Sequence, residues 1–193
     1  MEIKLTRGQV QAALLFVAKK DVRFYLTGVN LNSNHLVATD GHTLLLQEVK
    51  GIEGVNIILP AEPLEQFVKS KLQELTINVG DKRSGVLSYG AITVMVDYID
   101  HKYPDYRRVI PRIDESKLTE LRGSYNSKYI GCIEKAAGYL TGERSSDTDK
   151  VRSYGMYSMQ DLPKCIAAFR NVAAIAVVMP LYETGKPPTW SPF

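Results

Sequence analysis

The sequence predicts an α+β protein of antiparallel sheets with helices on one face, in which a strand, helix, strands unit recurs about three times. Three observations lead there. Only three segments repeat apolar residues at helical spacing. Between them lie several short β-rich runs for each helix, a pattern of antiparallel sheets and not of βαβ crossovers. The same order of elements begins near Glu2, near Val55 and near Gly123, which sets units of about 50, 60 and 70 residues.

In chain order, the first helix is expected where Val10, Leu14 and Val17 fall at i, i+4 and i+7, with Thr6 as its N-cap. Val22 to Leu31 and Leu36 to Val49 follow as β-rich stretches. The second is broken by a tight turn at Asp40-Gly41, since glycine accepts positive φ. Val55 to Leu59 leads into a second helix marked by Leu64, Phe67, Val68 and Leu72, with Pro63 in its early turn. Leu75 to Val79, Gly85 to Ser88 and Ala91 to Ile99 read as further strands. The polar run Asp114 to Gly123 reads as a linker. The third helix carries Ile130, Ile133, Ala137 and Leu140, capped by Asn126 or Ser127. Beyond a loop from Thr141 to Lys150, strands are expected at Lys150 to Met159, Cys165 to Phe169 and Ala173 to Leu181. The tail from Thr184 has three prolines in its last seven residues and is expected to be extended or unstructured, with Trp190 and Phe193 its large apolar groups. Asn56-Ile-Ile-Leu-Pro60, Arg108-Val-Ile-Pro111 and Val177-Val-Met-Pro180 each end an apolar run with proline. That echo also follows from proline's inability to donate to a ladder.

The chain has 193 residues, 45% hydrophobic and 23% charged, with a formal charge of +3. These values fit a globular protein of one or two domains. A sequence pI of 8.7 permits nucleic-acid contact without arguing for it. Cys132 and Cys165 form no C-x-x-C, and His35, His42 and His101 are scattered, so neither metal nor other cofactor is expected. Met1-Glu-Ile-Lys lacks a signal-peptide layout, and the longest apolar run, Ala173 to Met179, falls far short of the ~18 residues of a membrane span. A cytoplasmic location without membrane contact is the expectation.

Asp40-Gly-His42 admits an acid/base or metal-binding reading, but general acid/base catalysis needs a second convergent group. No nucleophile motif, H-E-x-x-H or phosphate-cradling glycine loop is present. A non-enzymatic protein is expected, with Asp40-Gly41 as a turn. Two readings of Tyr103-Pro-Asp-Tyr-Arg-Arg108 stand: a proline turn with solvated arginines, or a rigid groove rim in which guanidinium stacks on tyrosine.

Val22-Arg-Phe-Tyr-Leu-Thr-Gly28, Val37-Ala-Thr-Asp-Gly-His42, the stretch His101 to Pro111 and Val177-Val-Met-Pro180 together resemble the middle and last domains of the bacterial β sliding clamp. That ring holds replicative DNA polymerase on its template. The resemblance is good from residue 1 to about 112 and loose from 118 to 183 until the final strand. It implies the DNA-clamp fold of repeated βαβββ units, with residues 1–113 as a complete domain, 118–183 as a reduced C-terminal unit and 184–193 as a flexible tail. No counterpart of the family's N-terminal domain is seen. Three units per chain, against about a dozen in a closed bacterial ring, favour a homotetramer.

By the same resemblance, a peptide-docking pocket maps to Leu26, Thr39, Gly41, His42, Thr43 and Leu44, to Pro104, Arg108 and Val109, and to Val177, Val178, Met179, Pro180 and Leu181. Apolar walls would take up a partner's short linear motif while His42 and Arg108 fix its polar ends. Thr43 and Tyr182 stand where the family usually has arginine, so the rim is less basic. The resemblance also implies weak, sequence-independent contact with duplex DNA through Arg7, Lys19, Lys20, Arg23, Phe24, Tyr25, Lys69, Lys71 and Lys128. Expected partners are double-stranded DNA, a polymerase and other proteins bearing clamp-binding motifs, and a clamp loader. The leading expectation is a ring-forming processivity factor, with a phage or other mobile replicon as a plausible home. The alternative is a non-encircling adaptor or inhibitor that keeps the pocket.

Overall fold

Thr6 closes the first strand, β1 (Glu2–Thr6), and opens the first helix, α1 (Arg7–Leu14). In this computed structural model its hydroxyl accepts from the Gln9 N–H while Gln9 Oε1 accepts from the Thr6 N–H, a reciprocal capping box. The structure describes residues 1–80, 83–110, 118–119, 124–142, 154–159, 162–169 and 172–181. Most of the expected linker, the expected loop from residue 143 on, Tyr182 and the tail lie outside them.

The helix is shorter than its apolar spacing predicts. It ends at Leu14, and Val17 is buried in the irregular segment that follows. The expected strand from Val22 is also corrected. Val22 is 97% exposed, and Phe24–Thr27 form a 3-10 turn. Asp21 Oδ1 accepts from the Arg23 N–H and the Thr27 hydroxyl donates to the Phe24 carbonyl, and these local bonds win over β propensity. The strand, β2 (Gly28–Asn32), begins only at Gly28, where the backbone runs against the Leu59 carbonyl with no space for a Cβ.

Next come β3 (His35–Thr39), β4 (Thr43–Glu48), β5 (Asn56–Pro60), α2 (Ala61–Lys69), β6 (Glu74–Val79), β7 (Ser84–Tyr89) and β8 (Ile92–Asp97). Leu72, expected on the second helix, lies beyond its end. The remainder is β9 (Leu118–Thr119), α3 (Ser127–Thr141), β10 (Tyr154–Met159), β11 (Leu162–Phe169) and β12 (Ala174–Val178). Asn126 caps α3 by accepting from the Lys128 N–H.

Two antiparallel sheets result, in the orders β1-β6-β7-β8 and β5-β2-β3-β4-β12-β11-β10-β9. The first two units exchange their leading strands: β1 pairs with β6 of the second, and β5 pairs with β2 of the first. The third unit has no such exchange among the described residues; β9 folds back on β10. The larger sheet is continuous because β4 and β12, the last strands of their units, pair over Thr43–Gln47 and Ala174–Val178.

The helices lie side by side, with α1 packed against both α2 and α3. Gly8 on α1 touches the Tyr139 carbonyl near the end of α3, while Leu14 and Leu15 lie near Lys128 and Tyr129 at its start, so these two helices run antiparallel. A main core of both sheets and all three helices is buried. A smaller cluster, centred on Leu26, Leu44, Tyr103, Tyr106 and Val177, sits on the opposite face of the larger sheet. Among the described residues, no helix is long and apolar enough to cross a membrane and no group of metal-ligating side chains occurs.

Candidate functional site

The smaller cluster opens to solvent as a cleft of about 240 Å³. Strand pairing brings its distant parts together. Leu44 and Val177 are direct cross-strand partners in the β4–β12 joint, and alternation points both to this face. The same alternation turns Val178 into the main core, away from the cleft. One sequence expectation, Val178 as a lining residue, is corrected by that parity.

The turn from β3 to β4 builds one rim. Asp40 Oδ1 accepts from the His42 N–H at 2.9 Å, the Thr43 N–H at 2.7 Å and the Thr43 hydroxyl at 3.0 Å. Gly41 has φ of +91°, a conformation glycine takes freely. This pinned turn presents the His42 carbonyl to the Met179 N–H at 2.9 Å, which draws the chain after β12 to the rim. The His42 ring lies nearly parallel to Tyr129 of α3, with centroids 6.0 Å apart.

The segment after β8 builds the opposite wall. Buried Tyr103 accepts from the Thr39 N–H at 3.1 Å, and burial pushes its hydroxyl pKa well up. Pro104, Asp105, Tyr106 and Val109 then line the cleft. Arg107 stacks 5.0 Å over the Tyr106 ring. Arg108 does not face the cleft. It pairs with Asp105 at 3.1 Å within the 3-10 turn Tyr106–Arg108, and its side chain is 84% exposed. Both readings of the motif are thus partly realised, with one arginine stacked and one at the surface.

Ten expected residues line the cleft: Leu26, Thr39, Gly41, His42, Thr43, Leu44, Pro104, Val109, Val177 and Met179. Pro180 and Leu181 do not line it. The Leu181 N–H donates to the Ser124 carbonyl at 2.8 Å while its side chain faces solvent. Asp105 and Tyr106 were not expected, although they stand inside the motif that marked the site. Arg23 and Tyr25, expected at DNA, also reach this rim. Arg23 binds Asp21 at 2.7 Å and holds its carboxyl down at about 2.

The other expected DNA residues divide. Lys19, Lys20 and Lys128 converge on a second, wider cleft between the end of α1 and the start of α3, joined by Lys135 and faced by Asp21 and Asp40. Arg7 instead braces the helices, donating to the Val68 carbonyl at the end of α2 from Nε and a terminal nitrogen at 3.3 and 3.1 Å. Lys69 and Lys71 are exposed at the end of α2 and just beyond it. Phe24 and Tyr25 form an aromatic group with His101, the Tyr25 and His101 rings stacked at 4.3 Å.

Paired βαβββ units, joined through their last strands into one sheet with helices on the other side from an apolar cleft, define the architecture of a DNA sliding clamp. Comparison with solved structures gives the same fold. The DNA polymerase III β subunit of Thermotoga maritima superposes with a TM-score of 0.70 at 16% identity, covering 95% of this chain and 66% of that one. That of Borrelia burgdorferi gives 0.70 at 14% identity, covering 96% and 65%. In sequence the chain is similar to proteins named β sliding clamp. It is 27% identical to that of Caulobacter vibrioides over 129 residues, covering 59% of this chain and 34% of the relative. For Pseudomonas aeruginosa the values are 30% over 137 residues, 63% and 37%. The chain thus spans little more than a third of these curated relatives, and it resembles a shortened β sliding clamp. No family model matches it.

Proposed function

We propose that the chain is a processivity factor of the sliding-clamp type, whose cleft docks a short peptide motif of a polymerase or another replication protein. The observation that carries this reading is convergence. Four segments far apart in sequence, around Leu26, Thr39 to Leu44, Pro104 to Val109 and Val177 to Met179, build one apolar cleft with a polar rim. In this reading residues 1–113 are a complete clamp-type domain and 118–183 a reduced one. Copies of the chain close a ring around duplex DNA, four in number, with Lys19, Lys20 and Lys128 facing phosphate. Such contact is weak and salt-sensitive, as sliding requires.

The test is binding of a labelled Gln-Leu-x-Leu-Phe peptide. Met179→Ala and His42→Ala each weaken it by roughly tenfold, within the range of single interface truncations. Unchanged affinity in both variants, with folding intact, rejects the docking site. The ring is tested separately, by retention on nicked circular DNA and release on linearisation.

A further inference from the structure

We propose that the segment around Trp190 and Phe193 folds back into the apolar cleft of its own chain and occupies it until a stronger motif displaces it. This rests on the docking reading above and names what regulates that site. Residues 182–193 lie outside the described ones, whereas the cleft and the point where the chain leaves it lie within them. Met179 lines the cleft, and its N–H is held by the His42 carbonyl at 2.9 Å. The Leu181 N–H then donates to the Ser124 carbonyl while its side chain is exposed. Two residues span at most about 7 Å, so the tether starts beside the site. From Leu181 to Trp190 the chain reaches about 30 Å when extended and about 17 Å when coiled, long enough to reverse and cross the cleft. A short tether of this kind gives an effective concentration of about a millimolar, at which even a weak contact is largely filled.

Thr184-Gly-Lys-Pro-Pro-Thr-Trp-Ser-Pro-Phe193 has the build of a docking segment. Gly185 admits a reversal of the chain. Pro192 confines Ser191 to extended backbone, and Pro187 does the same for Lys186. A polyproline II segment makes one turn in three residues, so in that geometry Trp190 and Phe193 project from one side. Prolines also reduce the conformational freedom that docking takes away.

The cleft suits such an occupant. At about 240 Å³ it is small for a ligand site, and its walls include Leu26, Leu44, Val109, Val177 and Met179, a fit for two ring anchors. The rim's charges already have partners, Arg23 with Asp21 and Asp105 with Arg108. The segment from Thr184 carries one charge, Lys186. Its docking is therefore apolar and tolerates salt, unlike the phosphate contacts of Lys19, Lys20 and Lys128. An outside motif binds only the fraction of chains whose cleft is open, and its apparent affinity falls by that fraction.

Trp190 is the single tryptophan of the chain, so its fluorescence reports the segment directly. In the 193-residue chain its emission should lie to the blue of that of the isolated Thr184 to Phe193 peptide, at every protein concentration. Met179→Ala should move it to the red, as should a saturating Gln-Leu-x-Leu-Phe peptide made without tryptophan. Phe193→Ala, a change outside the described fold, should do the same. Trp190→Ala combined with Phe193→Ala should tighten labelled peptide by about tenfold, the factor for a cleft covered about nine-tenths of the time. Emission that ignores both Met179→Ala and saturating peptide, or a peptide affinity that the double variant leaves unchanged, overturns the proposal. A blue shift that fades on dilution places the segment on a second copy and overturns it as well. Peptide that binds neither the unaltered chain nor the double variant rejects the docking site instead, and Trp190 emission in Met179→Ala still tests the segment. Cleft variants weaken segment and peptide together, so His42→Ala and Met179→Ala are repeated in the double variant, where loss of peptide binding bears on the docking site alone.

Discussion

Tyr103 fixes the wall of the cleft to its floor through one bond, accepting from the Thr39 N–H inside a buried cluster. Tyr103→Phe leaves that N–H buried without a partner, which costs about 1–3 kcal/mol; urea unfolding should show it, together with weaker peptide binding. Asp21 behaves oppositely in pH. Hydrogen bonds from Arg23 hold its carboxyl at about 2, below the ordinary aspartate value. Its contribution is therefore present above the unfolded pKa and lost as pH falls through the folded one. A carboxyl NMR titration should show this, and Asp21→Asn should free Arg23 from its partner at neutral pH. Cys165 is buried and its thiol is pushed up to about 11. At pH 8 the thiolate is then on the order of a thousandth of the population, so iodoacetamide should leave Cys165 unmodified until the protein unfolds.

At the scale of elements, Thr6 and Gly8, at the start of α1, separate capping from packing. Thr6→Ala removes one half of the capping box and should cost about 1 kcal/mol. Gly8→Val should cost more, because the Tyr139 carbonyl of α3 already stands where a Cβ would go. Thermal unfolding ranks the two, and limited proteolysis should show α3 and β10 to β12 loosening first in Gly8→Val. The caps at Thr6 and Asn126 were legible in sequence because capping is local chemistry. The start of β2 was not. Val22 to Thr27 has strand composition, yet Asp21 and Thr27 turn the backbone through side-chain bonds that composition does not display. For the cleft, its chain segments were legible while individual side chains were not. Val178 was misplaced by strand parity, and Arg108 by an ion pair to its neighbour on the same turn.

At the scale of the molecule, periodicity revealed three units but could not say which strands pair, since pairing depends on residues scores of positions apart. The β4–β12 joint ties the first unit to the third through Leu44 and Val177 and creates the cleft on its outer face. Substituting Val177→Asp places a charge in that joint at 2% exposure. The cost should be several kcal/mol unless the group is neutralised, and peptide binding and overall stability should fall together. If the ring reading holds, sedimentation of the unaltered chain should give four times its 21.6 kDa mass at low salt.

The exchange of β1 and β5 also governs how the chain is made. The strand Glu2–Thr6 finds its place only against Glu74–Val79, so the first unit remains open while some seventy further residues leave the ribosome. Contacts so distant slow folding and expose unpaired strands during synthesis. Neither unit can then mature before the other, and a fragment cut between Val49 and Val55 should yield two aggregation-prone halves that recover structure only when mixed.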